Sequence, residues 1–208
     1  MALTTYAELK DSIASWMARG DLTDIIPDFI TLFEAKANRR LRVRRMLTSE
    51  TVTITAGTAA IPPGGTTAIP AGYLETKRLT WQSSPVVELE WVEPTYLQAS
   101  YPSSETGIPR FYTIENGSLY VRPAGTGTAT FVYYGKIPPL ATATNWLLEQ
   151  HPDLYLWGSL VEARAFILDP ERAALFDQRS KEAFAEIIRL DAIGQQSQAQ
   201  IRAYGPTP

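Results

Sequence analysis

Cysteine is absent from the chain and histidine occurs once, at His151. The first absence excludes disulfides and thiolate metal sites. The two together leave no zinc-type ligand set and no Cys–His pair for nucleophilic catalysis. Long apolar runs are missing too: none approaches the roughly 20 residues a helix needs to span a bilayer, so no membrane insertion is expected. The opening "MALTTYAELK" lacks the basic and apolar segments of a secretory leader, and synthesis and folding in a cytoplasm are expected. Nor is there a surplus of positive charge. With 19 Lys and Arg against 22 Asp and Glu, the net charge is −3, which excludes a generic polyanion binder and leaves room only for a local nucleic-acid contact.

What is present is enough apolar material for one or two domains, 45% hydrophobic and 11% aromatic residues in 208, and one concentrated knot of charge. In "ANRRLRVRRM", five of seven consecutive residues are arginine: Arg39, Arg40, Arg42, Arg44 and Arg45.

The periodicity of the chain changes twice. "TYAE" reads as a capping box, with Thr5 and Glu8 satisfying each other's backbone donors at the start of a helix. Tyr6, Leu9, Ile13, Trp16 and Met17 share a face of that helix, and Gly20 is its expected left-handed stop. A second helix begins after Asp24, with Pro27 tolerated in its first turn and Ile26, Phe29, Ile30, Phe33, Ala37 and Leu41 forming one apolar stripe. From Thr51 the period becomes two. "TVTIT", "ETKRLTW", "VVELEW", "RFYTI", "SLYVRP" and "ATFVYY" read as strands, and Asn116-Gly117 as a type I′ hairpin turn that sets Ile114 opposite Leu119 and Tyr112 opposite Val121. After "KIPPL" the helical period returns. Pro152 opens a helix running to about Leu168 with apolar residues all round it, and Pro170 opens a last one lined by Ala173, Phe176, Ala183, Phe184, Ile187 and Leu190. Beyond Gly194 the Gln- and Ser-rich sequence offers little to bury.

The expected fold is α+β: a helical bundle built from the N- and C-terminal helices, with an inserted, mostly antiparallel β-sandwich or small barrel. The expected divisions are residues 1–46 helical, 47–138 β, 139–193 helical and 194–208 a flexible tail.

Catalytic chemistry finds little to stand on. His151, just before Pro152, reads as a helix-entrance residue. "PPGGTT" and "AGTGTAT" lack the lysine and following helix of a phosphate loop and read as turns. Glu88 and Glu90 would share one face of a strand, with Leu89 and Trp91 on the other; such a pair could serve glycoside hydrolysis, but a solvated strand face accounts for it as well. No catalytic residue, cofactor or metal ligand is expected.

The arginines admit several readings. A helix C-terminus favours cations by about 0.3–1 kcal/mol each, which accounts for one or two of the five. If the chain is extended there, Arg40, Arg42 and Arg44 project to one side and Leu41 and Val43 to the other. Such a row suits phosphates or the carboxylates of a neighbouring protein. As surface charges these residues are expected to matter little to folding.

"YAELKDSIASWMARGDLTDIIPDFITLFEAKANRRLR", "GIPRFYTIENGSLYVRPA", "YYGKIPPL" and "NWLLEQHPDLYLWGSLVEARAFILDPER" together, in this order and spacing, resemble the head-to-tail adaptor family of tailed bacteriophages, especially podophage adaptors of the tail tubular protein A type. Gly72, in "IPAGYLE", stands where that resemblance leads one to expect an acidic residue. The resemblance implies a structural virion protein without catalysis or cofactor, made in the host bacterial cytoplasm and placed in the virion neck. It implies a ring, twelve-fold, beneath the portal protein, bound to a tail nozzle or tail tube protein, with genomic DNA passing through and no membrane contact. Arg39, Arg40, Arg42, Arg44 and Arg45 would then face the DNA channel or the portal, and Ile201, Arg202 and Tyr204 would dock the tail segment. An intracellular nucleic-acid-binding protein and a cell-wall hydrolase using Glu88 and Glu90 are the alternatives.

Overall fold

The computed structural model describes residues 3–56, 65–101 and 106–202, with side chains described except at 56, 65–67 and 196–202. The fold is α+β. Two compact units form: Met1–Arg45 with Ile137–Pro208, and Met46–Lys136.

The first unit is helical. Its α1 (Tyr6–Met17) starts with the expected capping box, the Glu8 amide donating to Thr5 Oγ1 at 3.2 Å and the Glu8 carboxylate accepting from the Thr5 amide at 3.0 Å. The helix stops earlier than its glycine suggested: Ala18, not Gly20, takes the left-handed conformation, with φ 54°. In α2 (Ile26–Arg40) the whole apolar stripe from Ile26 to Leu41 is buried. A short helix, α4 (Trp146–Gln150), hands over at His151 to α5 (Pro152–Phe166). As expected from its all-round apolarity, α5 buries residues on several sides, Leu154, Tyr155, Leu156, Leu160 and Ala163 among them.

Gly158 allows α2 and α5 to approach closely, since a Cβ built there would fall 2.0 Å from Phe33 Cδ2. A polar chain runs through the same packing. Asn145 Nδ2 donates to the Tyr155 hydroxyl at 2.7 Å, that hydroxyl to Glu34 Oε1 at 3.3 Å, and the Leu140 amide to the same Oε1 at 2.8 Å. These bonds fix the strand-free segment leading into α4 against α2 and α5.

The last helix, α6 (Pro170–Arg202), continues past residue 193, after which the flexible tail was expected. It runs through Gly194 for 33 residues, because the Gln, Ala and Ser that follow are acceptable helix residues and a lone glycine costs only about 1 kcal/mol. The stretch from 194 to 202 is therefore helical backbone. Residues 203–208 lie outside the described residues.

The second unit holds β1 (Leu47–Ala56), β2 (Gly65–Ala68), β3 (Tyr73–Trp81), β4 (Val87–Glu88), β5 (Glu90–Trp91), the short α3 (Pro94–Ser100), β6 (Phe111–Glu115), β7 (Ser118–Arg122) and β8 (Gly127–Gly135). Hydrogen bonding orders the strands β4-β3-β8-β1-β2-β7-β6-β5, antiparallel except for β5 with β6. Glycine-rich "PPGGTT" is thus not all turn, since Gly65–Ala68 pairs with β7. The β6–β7 hairpin has the expected register, Ile114 opposite Leu119 and Tyr112 opposite Val121, around Asn116 (φ 48°) and Gly117 (φ 70°). Gly72 also has a positive φ, 85°, a conformation an acidic side chain would adopt at a cost.

The two strands at the ends of the order, β4 and β5, are separated in sequence by Leu89 alone. The Leu89 amide bonds Leu79 O at 2.9 Å and the Glu90 amide bonds Arg110 O at 2.8 Å. Consecutive Cα atoms are about 3.8 Å apart, so the sheet curls until its edges meet, enclosing a core that includes Ile54, Leu79, Leu119, Val121 and Phe131. The crossing breaks the alternation expected of "VELEW": Leu89 is 4% exposed but Trp91 is 57% exposed.

Candidate functional site

The arginine segment belongs to the helical unit. Helix α2 ends at Arg40 because Leu41 turns extended, at φ −87° and ψ 135°. Residues 41–43 then alternate: Leu41 and Val43 are buried while Arg42 is half-buried between them. That placement lets the Arg42 guanidinium double back, Nη1 donating to Asn38 O at 2.8 Å and Leu41 O at 2.6 Å. These carbonyls lie at the negative end of α2, where a cation is favoured.

The neighbouring arginines are also engaged within the chain. Arg40 lies 5.4 Å over the Phe184 ring. Arg44 donates to Asp191 Oδ1 from its Nε at 2.8 Å and from its backbone nitrogen at 3.2 Å, and Gln195 Nε2 bonds the other carboxylate oxygen at 2.8 Å. Burial alone would push the Asp191 carboxyl up, but the bonds from Arg44 and Gln195 outweigh it and hold the group below its usual range. Gly194 completes this arrangement, because a Cβ there would fall 2.0 Å from Arg44 Nη2. Arg40, Arg42 and Arg44 thus each have a partner within the helical unit. Arg39 and Arg45 are exposed and make no ion pair among the described residues.

Arg44 and Arg45 line one side of an open cavity of about 200 Å³, with Trp146, His151, Leu190 and Asp191 among its other walls. His151 is the N-cap residue of α5, and its ring meets Trp146 edge-on at 6.4 Å between centroids. One exposed guanidinium beside apolar and aromatic walls suits a partner's apolar side chain accompanied by a carboxylate.

A second cluster, exposed only at Trp16 among its aromatics, was not anticipated. Trp16, Trp157 and Phe176 form an aromatic group, Trp16 edge-on to Trp157 at 5.2 Å and Trp157 stacked on Phe176 at 5.7 Å. Arg179 lies 4.9 Å over Trp157. The sequence signal was the helical spacing of these aromatics, which reads as core; partial exposure of Trp16, at 46%, is not visible in spacing.

Other sequence candidates form no enclosed site among the described residues. Glu88 and Glu90, on either side of Leu89, are both exposed, without the desolvation a catalytic pair requires. Ile201 and Arg202 lie on α6 with side chains outside the described residues, and Tyr204 lies outside them altogether. Among the described residues no group of three or more His, Asp and Glu could hold a metal ion, and no helix is long and apolar enough to cross a membrane.

No curated protein matches the sequence significantly. The family model described as SU10 adaptor protein matches residues 4–206, which takes in both units and the arginine segment. The chain thus belongs to the SU10 adaptor protein family, structural phage proteins of the head-to-tail connector type.

Proposed function

We propose that this adaptor assembles as a homo-oligomeric ring, twelve-fold, beneath the portal in the virion neck, where it joins capsid to tail and lets genomic DNA pass during packaging and ejection. The observation that carries this reading is the match of the adaptor family model to residues 4–206. Among the described residues, the helical unit also exposes large hydrophobic side chains available to protein contacts, Trp16, Leu32, Phe166, Leu175, Leu190 and Ile193 among them.

In a ring every copy repeats its charges, so Arg39 and Arg45 become two circles of positive charge facing portal or DNA. Arg40, Arg42 and Arg44 hold the segment that presents them. The end of α6 and the residues beyond it, with Ile201, Arg202 and Tyr204, act as the arm that docks on portal or on the tail nozzle or tail tube protein.

The test is a phage carrying a disrupted copy of this gene. DNA-filled or leaking heads lacking tails, rescued by the intact gene supplied in trans, are expected. Tailed infectious particles formed without the protein would overturn the proposal.

A further inference from the structure

At one end of the helical unit, where α1 ends, α2 begins, α5 ends and α6 begins, an open groove of about 280 Å³ is lined by Trp16, Arg164, Arg172, Leu175, Phe176 and Arg179. Its apolar walls are exposed in part, Trp16 at 46% and Leu175 at 49%. Its charge is unbalanced. One carboxylate oxygen, Asp169 Oδ2, lies 3.4 Å from Arg164 Nη1 and 3.7 Å from Arg172 Nε, while Arg179 makes no ion pair among the described residues. Two guanidiniums thus share one carboxylate and the third, Arg179, lies over the Trp157 ring of the aromatic floor. Tryptophan and arginine around a pocket are the composition of an interface anchor site, and the matching occupant is a large apolar side chain with a carboxylate beside it.

The chain carries such a pair at the same level of the unit. Leu32, in the second turn of α2, is 53% exposed. Asp28 stands one turn before it, also exposed and without an ion pair among the described residues. Residues four apart lie on one face of a helix, so leucine and carboxylate are presented together. Leu190 with Glu186 is a comparable pair, but Leu190 already lines the cavity beside Arg44 and Arg45.

We propose that the groove receives Leu32 and Asp28 of the neighbouring copy, as the subunit contact of the ring. The inference rests on the ring reading above and specifies its surface. Knob and groove are different patches, which makes the contact head-to-tail. Both lie at the same end of the helices, so successive copies need not climb along the bundle axis, and the contact is compatible with a closed ring.

Because the chain has no cysteine, Leu32→Cys and Leu175→Cys can be introduced together as the only thiols. Both sites are exposed, and retention of fold is checked by circular dichroism. After assembly on portal rings of the same phage and mild oxidation, a ladder of covalent oligomers beyond dimer is expected, with either single variant giving no more than dimer. In parallel, Asp28→Arg is expected to raise the concentration needed for assembly about tenfold, and adding Arg172→Asp to the same chain to restore it. Rings visible by electron microscopy that yield only monomer bands, or an Asp28→Arg variant that assembles as the parent does, would overturn the proposal while leaving the adaptor reading intact. Failure of the parent chain to form any ring on portal would instead remove the ring reading, and this contact with it.

Discussion

Arg44 reaches Asp191 twice, through its side-chain Nε at 2.8 Å and its backbone nitrogen at 3.2 Å, and both bonds end on the same carboxylate oxygen. The contact joins the end of the arginine segment to α6 across 147 residues of sequence. Arg44→Ser should therefore destabilise the protein by about 1 kcal/mol, a value kept low because the guanidinium is partly solvated. In a chain of this size that is a fall in Tm of about 2–4 °C. Arg39→Ser and Arg45→Ser should stay within about 0.5 kcal/mol of the parent. Thermal unfolding of the three variants makes the comparison.

The same pair makes stability depend on acid. Asp191 has its folded pKa depressed, so its contribution is present above the unfolded carboxylate value, about 3.9, and is lost as pH falls through the folded one. The stability gap between the parent and Asp191→Asn, measured by urea unfolding, should be widest near neutrality and close as pH drops below about 4. A gap that stays constant with pH would rule out the ion pair as its source.

Glu34 has the opposite sign. Burial raises its carboxyl, and the bonds from the Leu140 amide and the Tyr155 hydroxyl only partly offset this. A raised folded pKa gives stability that is complete below the unfolded value and lost as pH rises through the folded one. Glu34→Gln retains an acceptor oxygen for both donors without the charge, so relative to it the parent should lose stability as pH rises above the unfolded glutamate value, about 4.3. Glu34→Ala leaves both donors unpaired and should cost about 1–3 kcal/mol at every pH.

Much of the fold was legible because its signals are local. A capping box, a proline in the first turn and a six-member apolar stripe fixed α1 and α2, and Asn116-Gly117 fixed the hairpin and its register. The misreadings share a physical cause, which is that tertiary contact overrode a local cue. Residues 194–202 read as tail because they offer little to bury, yet α6 continues through them, the missing side chain of Gly194 letting it pass the Arg44 guanidinium. Leu89 and Trp91 read as neighbours on one face, yet the chain changes partner strand between them. At the site, the density of arginine was legible and its division of labour was not. Which guanidiniums are used internally depends on Asp191 and Phe184, residues distant in sequence. The strands β4 and β5 read as one, and the helices α3 and α4 are too brief to produce a period.

Gly158 offers a test of the helical packing. Intrinsic propensity favours alanine over glycine in a helix by about 1 kcal/mol, but the new methyl would sit 2.0 Å from Phe33 Cδ2, a fully buried ring. Overpacking of this kind costs about 1–3 kcal/mol, so Gly158→Ala should be net destabilising in denaturant unfolding. A stabilised variant would show that α2 and α5 do not approach this closely.

The central claim, that this chain is a ring-forming adaptor docked on the portal, is tested most directly by electron cryomicroscopy of the purified protein mixed with portal rings of the same phage. A closed ring of this chain stacked coaxially on the portal, with the helical units of adjacent copies in contact, is expected. Portal rings that remain bare in saturating protein would contradict it.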